Sequence, residues 1–100
     1  MVQSPMNSND KERKREWKLE QKRLARVAFP MPDTLLESLF NSVGVRVEDS
    51  GCDHTLRFTE RWIGEHGQSA SSVLDWLKRH GGFCDCEVVA NVADHWEQNR

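Results

Sequence analysis

The segments Cys52-Asp53-His54 and Gly81-Gly82-Phe83-Cys84-Asp85-Cys86 carry all three cysteines of this 100-residue chain. Each segment has one residue between its two candidate ligands, and 29 residues separate His54 from Cys84. An extended backbone directs residues i and i+2 to the same side, whereas a continuous helix turns them about 200° apart. Each pair is therefore expected in a loop or at a helix entry, where adjacent glycines allow the backbone to fold tightly around an ion.

Three thiols and one imidazole make a complete ligand set for zinc, because structural zinc sites are closed by four protein ligands of these types. We therefore predict a structural zinc site formed by Cys52, His54, Cys84 and Cys86. Asp53 and Asp85 are predicted to cap helices or to accept hydrogen bonds around the ligands. Two other interpretations stay open. In the first, the cysteines are small core residues and His54 is a capping residue. In the second, Cys84 and Cys86 form a strained, oxidising disulfide.

The size and composition of the chain narrow its class. One hundred residues make one domain, and a chain this short gains from a metal staple because it buries a small share of its surface. No stretch approaches the roughly 20 apolar residues of a membrane span, and residues 1–30 lack the apolar core of a signal peptide. We expect a cytoplasmic protein, in which clustered thiols bind metal more often than they form structural disulfides.

Charge divides the chain into a basic arm and an acidic body. Residues 1–30 hold eight basic and four acidic residues, while residues 31–100 hold six basic and twelve acidic ones. We predict a disordered tail at residues 1–9, a basic helical arm at 10–28 and a compact cysteine-containing domain at 29–100. The candidate contacts to nucleic acid or to a partner are the basic residues of the arm: Lys11, Arg13, Lys14, Arg15, Lys18, Lys22, Arg23 and Arg26.

Apolar spacing predicts a mostly α-helical fold. Predicted helices after the arm cover residues 35–40, 56–66, the segment between the Ser69–Ser72 caps and Gly81, and 87–96. Gly44 and Gly67 are predicted to end the first two of these helices, and residues 45–47 to be extended. The alternation of Cys84, Cys86 and Val88 fits a strand nearly as well as a helix, although the spacing through residue 96 favours the helix.

Several strings in the chain resemble the hallmarks of a bacterial family of domains of unknown function. They are Cys52-Asp53-His54-Thr55-Leu56-Arg57 and Gly81-Gly82-Phe83-Cys84-Asp85-Cys86-Glu87-Val88, the latter followed by Ala90-Asn91-Val92. The resemblance covers residues 29–96 and implies a fold unit without an assigned activity, so it supplies no catalytic residues.

The sequence favours binding over catalysis. It contains no Ser-His-Asp order, glycine-rich phosphate loop or zinc-deaminase pattern, and a zinc ion closed by three thiolates is a poor Lewis acid. We therefore predict a small metal-stapled module that associates with a protein partner or with itself. The alternatives are a nucleic-acid-binding accessory protein that uses the basic helix, and a thiol redox protein that uses the C-x-C pair.

Overall fold

The computed structural model describes residues 3–100, with side chains from residue 11 onward. The described part of the chain is helical and contains no strand, which confirms the predicted mostly α fold. The helices are α1 (Gln3–Val27), α2 (Asp33–Ser50), α3 (Arg57–Glu65), α4 (Ala70–Arg79), α5 (Asp85–Glu87) and α6 (Ala93–Asn99). A π-helical segment, Val88–Val92, joins α5 to α6, so residues 85–99 form one continuous helix, as the preferred interpretation of this segment required.

The arm is a single long helix. It begins at Gln3 rather than at the predicted Asp10, so residues 3–9 of the predicted tail belong to α1, while residues 1 and 2 lie outside the described part of the chain. It ends before the Phe29-Pro30-Met31-Pro32 segment, as expected for residues placed ahead of proline. The division into tail, arm and compact domain stays a prediction.

The prediction that Gly44 ends a short helix is wrong. α2 continues to Ser50 and includes residues 45–47, which the sequence indicated as extended. The helix persists because Val43 is fully buried and Gly44 faces Val89, whose Cγ1 lies 3.8 Å from the position of a Cβ at Gly44. The actual stop is Gly51, which adopts a left-handed φ of 75° and donates its N–H to the Val47 carbonyl at 2.8 Å.

The core lies between α2, α3, α4 and the C-terminal helix of residues 85–99. Its buried side chains recur at helical spacing in each element, namely Leu36, Leu39, Phe40 and Val43, then Trp62 and Ile63, then Val73, Trp76 and Leu77, and finally Val88, Val92 and Trp96. The predicted boundaries of α3 and α4 are confirmed. Gly67 has a φ of 63° just after α3, and the Ser69 side chain accepts a hydrogen bond from the Ser72 N–H at the start of α4.

Gly82 is where α4 and the C-terminal helix approach most closely. A Cβ at this position would lie 2.8 Å from Val92 Cγ2 and 3.1 Å from the Leu77 carbonyl oxygen. The preceding Gly81 has a φ of 85°, and its carbonyl accepts a hydrogen bond from Asn91 Nδ2 at 3.1 Å. The glycine pair therefore allows the π-helical segment to pack directly on the turn that leads to Cys84.

We expect Gly82→Ala to destabilise the fold by about 1–3 kcal/mol, because the added methyl overlaps Val92 and a backbone oxygen that cannot move freely. Gly64→Ala is the matched control, since its Cβ meets no atom within 4 Å and its φ suits any residue. That change lies in a helix and should stabilise by up to about 1 kcal/mol. Urea unfolding of both variants measures the difference, and equal effects would contradict this account of Gly82.

A cluster of aromatic rings connects α4, the C-terminal helix and the end of the arm. The imidazoles of His80 and His95 stack with centroids 3.8 Å apart, and Phe29 lies edge-on to Trp76 at 5.7 Å. Burial, followed by the charges of His95 and Arg79, lowers the pKa of His80, and burial lowers the pKa of His95. The folded protein therefore holds both rings neutral at pH values where the unfolded chain protonates them.

These histidines should make stability depend on pH in a defined direction. Their contribution is fully present above the usual histidine pKa of 6.5, and it is lost as the pH falls through the lowered folded values. We expect the free energy of unfolding to fall between about pH 7.5 and pH 5.5, and to fall less in His80→Gln. Denaturant titrations at both pH values test this, and an identical loss in the variant would assign the effect to other groups.

Candidate metal centre

The three cysteines meet although they come from two distant segments. Cys52 lies in the loop between α2 and α3, Cys84 directly precedes α5, and Cys86 lies in the first turn of α5. The three sulfur atoms lie within 4.8 Å of one another, and all three thiols are free. The sequence predicted that each candidate ligand pair lies in a loop or at a helix entry, and the backbone has this arrangement.

Asp85 connects the two segments from inside the protein. Its fully buried carboxylate accepts hydrogen bonds from the Phe58 N–H at 3.0 Å, the Thr59 N–H at 3.0 Å and the Thr59 hydroxyl at 2.7 Å. These donors belong to the first turn of α3, so Asp85 caps a helix that begins 28 residues earlier in the chain. Its own N–H donates to the Thr55 carbonyl at 2.9 Å, which fixes the α5 entry against the Cys52 loop.

The Cys52 sulfur is held by backbone donors. The N–H groups of Cys86 and His54 each lie 3.4 Å from Cys52 Sγ, and the sulfurs of Cys84 and Cys86 are 3.3 Å apart. The hydrogen bond from the Cys86 N–H, followed by that from the His54 N–H, lowers the pKa of the Cys52 thiol. Burial acts in the opposite direction and is outweighed. This pattern of N–H groups directed at sulfur stabilises a thiolate at Cys52.

Cys84 behaves in the opposite way. The backbone N–H of Glu87 lowers the pKa of Cys84, but burial and the neighbouring sulfurs of Cys86 and Cys52 outweigh it and raise the pKa to about 12. Negative charge accumulates poorly on three adjacent sulfurs unless a cation shares it. A bound divalent metal supplies that cation and deprotonates its thiol ligands, so the chemistry of this donor set fits a metal site.

His54 is not brought into the sulfur cluster. Its backbone has a φ of 69°, a left-handed conformation that is uncommon outside glycine, and the residue is exposed. Its predicted role as the fourth ligand therefore stays a prediction. Asp53 organises the same loop, because its Oδ1 accepts hydrogen bonds from the N–H and the hydroxyl of Thr55, and its carboxylate pairs with Arg57 at 3.5 Å.

Sequence reasoning did not identify Thr59 as part of this arrangement. Its hydroxyl and N–H are both committed to Asp85, and its side chain has no exposed surface. The two residues are 26 positions apart, so no local spacing links them. The only signal in the chain was a threonine on the inner face of a predicted helix, where apolar residues are commoner.

The basic residues of the arm lie on α1 and belong to a separate surface. All eight are exposed. Two of them form ion pairs among the described side chains, Arg23 with Glu20 and Arg26 with Asp33 at 3.9 Å. No helix within residues 3–100 is both long enough and apolar enough to cross a membrane.

Replacing Asp85 should test how strongly this carboxylate holds the structure. We expect Asp85→Ala to destabilise the protein by about 2–4 kcal/mol, because it leaves two buried donors of Thr59 and the half-buried Phe58 N–H without an acceptor. Asp75→Ala is the control, since its exposed pair with Arg79 should be worth less than about 1 kcal/mol. Denaturant unfolding in a common buffer compares the two variants. A loss for Asp85→Ala no larger than for Asp75→Ala would show that the cap is dispensable.

The fold and this site define a small helical protein with a three-cysteine cluster between two connecting segments. Residues 39–91 match the model of the family described as Protein of unknown function (DUF2695), and the matched stretch contains both cysteine segments. The chain belongs to this family, in agreement with the resemblance seen in the sequence.

Mycobacterial proteins are among its relatives. The uncharacterized protein Rv2271 of Mycobacterium tuberculosis (strain H37Rv) is 39% identical over 71 residues, which cover 70% of this chain and 72% of the relative. The uncharacterized protein Mb2294 of Mycobacterium bovis matches with the same identity and coverage. No solved structure matches the chain.

Proposed function

We propose that this protein is a small binding module whose fold is fastened by one zinc ion bound to Cys52, Cys84 and Cys86. The observation that carries the proposal is the convergence of the three sulfurs to within 4.8 Å of one another from segments more than 30 residues apart. Thiolate-rich sets of this kind favour zinc among the common divalent ions of the cell.

The geometry of the cluster suits a tetrahedral ion. Zinc–sulfur bonds of about 2.3 Å place neighbouring sulfurs about 3.8 Å apart, so the cluster reaches that spacing with small side-chain movements. Three thiolates on zinc leave a net negative centre, which weakens its ability to polarise a substrate. The role proposed for the metal is therefore structural, joining the Cys52 loop to the entry of α5.

His54 is the fourth ligand in this proposal. It lies two residues from Cys52 in the same loop, and no hydrogen bond or ring contact among the described side chains engages its imidazole. The ring is therefore free to adopt a different rotamer. A closed set of three thiolates and one imidazole is a common composition of structural zinc sites.

Metal analysis of protein purified without chelator tests the site. We expect about one zinc per chain, reduced to near zero in Cys52→Ser and Cys84→Ser, because losing one of three thiolates removes most of the affinity. His54→Ala should bind more weakly, and the visible spectrum of its cobalt-substituted form should depart from the tetrahedral pattern of the wild type. His66→Ala is the matched histidine control, since His66 stacks on Trp62 and lies outside the cluster.

Folded wild-type protein that retains no zinc and takes up none on titration would overturn the zinc proposal. Full zinc affinity in His54→Ala would overturn only the assignment of the fourth ligand.

One observation favours a second candidate function, thiol redox chemistry. The sulfurs of Cys84 and Cys86 lie 3.3 Å apart, and the lowered pKa of Cys52 favours its reactive thiolate form. Two protein thiols would reduce one oxidised glutathione through a mixed disulfide. The glutathione S–S bond breaks, a protein S–S bond forms, and the two thiol protons end on the two glutathione molecules that are released. Intact-mass analysis of zinc-free protein after this treatment should then show a loss of two hydrogens that dithiothreitol reverses.

A further inference from the structure

The arm is a long helix, and most of its side chains from residue 11 onward contact no other part of the molecule. Every side chain of α1 from residue 11 to residue 24 is exposed, including Trp17 at 63% and Leu24 at 49%. The molecule measures 63 Å in its longest dimension but only 24 and 19 Å in the others. An isolated helix is marginally stable in water, and exposed tryptophan and leucine on one stripe mark a contact surface.

We propose that α1 of one molecule docks antiparallel on the outer face of α2 in a second copy, and that the second copy returns the same contact. The inference rests on the proposed function as a binding module and names its partner. A reciprocal contact of this kind gives a closed two-fold dimer.

The outer face of α2 is acidic and has one exposed apolar residue. Glu37, Asn41, Val45 and Glu48 follow one another at spacings of four, four and three residues, so they share a side of the helix, and all four are exposed. Asp49 adjoins this face. Within the described residues, Glu37, Glu48 and Asp49 form no ion pair with a cation of their own chain.

The exposed stripe of α1 has the same spacing in the reverse direction. Lys14, Trp17 and Gln21 are separated by three and four residues, which matches Glu48, Val45 and Asn41 read backwards along α2. Because both helices rise 1.5 Å per residue, one antiparallel register places all three pairs together. In this register the Lys14 ammonium faces the Glu48 carboxylate, and the Trp17 indole faces the exposed Val45. The amides of Gln21 and Asn41 lie side by side.

A further pair of opposite charges accompanies this register. Arg13 and Asp49 lie at the same level of the two facing helices, on the two flanks of the contact. Charge complementarity thus runs along both helices of the proposed contact.

Charge also disfavours two other partners for α1, namely the α1 helix of a second copy and nucleic acid. Residues 11–28 carry eight basic and three acidic side chains, so two α1 helices repel each other. Nucleic acid would meet the repulsion of a body with twelve acidic and six basic residues, and it would leave the Trp17–Leu24 stripe in water.

The connection between α1 and α2 disfavours folding back within one molecule. Met31 is buried, and Asp33 is held both by Arg26 at 3.9 Å and by Trp96 Nε1 at 3.0 Å. Two prolines in this segment restrict its backbone further. The end of α1 also packs against α6, which fixes the base of the arm on the body of its own molecule.

A charge-reversal experiment on the full, zinc-loaded chain tests the proposal by sedimentation equilibrium. The wild type should form a dimer with twice the 11.6 kDa chain mass. Lys14→Glu and Glu48→Lys should each raise the dimer dissociation constant by about tenfold or more, because each sets like charges together. Arg15→Glu makes the same change of charge on a side of α1 that is turned away from the stripe. It is the matched control, expected to change the dissociation constant by less than about threefold.

Mixing the two single variants gives the decisive result. In a mixed dimer, one contact pairs the two substituted side chains, a glutamate on α1 against a lysine on α2, so its charges are exchanged but still opposite. The other contact keeps the original Lys14 and Glu48. We therefore expect the equimolar mixture to dimerise within about threefold of the wild type, although neither variant does so alone.

Three results would overturn this inference. A monomeric wild type that retains zinc removes the docking contact but leaves the zinc proposal intact. A monomer that binds duplex DNA with a steep salt dependence assigns α1 to nucleic acid instead. A dimer that both single variants and the control leave unchanged places the interface elsewhere. A zinc-free dimer with the predicted charge response would instead support the docking contact and sink the metal site.

Discussion

The buried carboxylate of Asp85 holds together the parts of the chain from which the candidate metal centre is built. It supplies the cap that the first turn of α3 lacks, because the residue before that helix, Leu56, has no side-chain acceptor. The cap comes from the neighbouring cysteine segment, so capping α3 also fixes where Cys84 and Cys86 lie relative to Cys52. A helix terminus and a ligand cluster thus depend on one set of hydrogen bonds.

The second constraint is close packing around the turn that leads to this aspartate. Gly82 leaves room for Val88 and Val92, which are fully buried, and Asn91 holds the adjacent Gly81 carbonyl. The C-terminal helix accommodates these contacts through a π-helical segment. Such segments often lie near functional sites, and here the segment follows Cys86 closely, after Glu87. The glycine pair, Asn91 and the two buried valines therefore fix the position of the turn that leads to Cys84.

The sequence predicted the helical class and most helix positions because apolar spacing, serine caps and glycine stops are local signals. It failed at Gly44, where packing against Val89 matters more than the weak helix propensity of glycine. The sequence predicted that the three cysteines meet at one site, because three thiols and one imidazole complete a zinc ligand set. It did not predict the Asp85–Thr59 contact, because the two residues are far apart in the chain. The place of His54 depends on a loop conformation with a left-handed φ, which residue spacing does not predict.

We propose that one zinc ion fastens the two cysteine segments. X-ray absorption at the zinc edge on protein loaded with one equivalent of zinc tests it most directly. We expect three sulfur neighbours at about 2.3 Å and one nitrogen neighbour at about 2.0 Å. A coordination shell made only of oxygen and nitrogen, with no sulfur, would show that the cysteine cluster does not bind the metal.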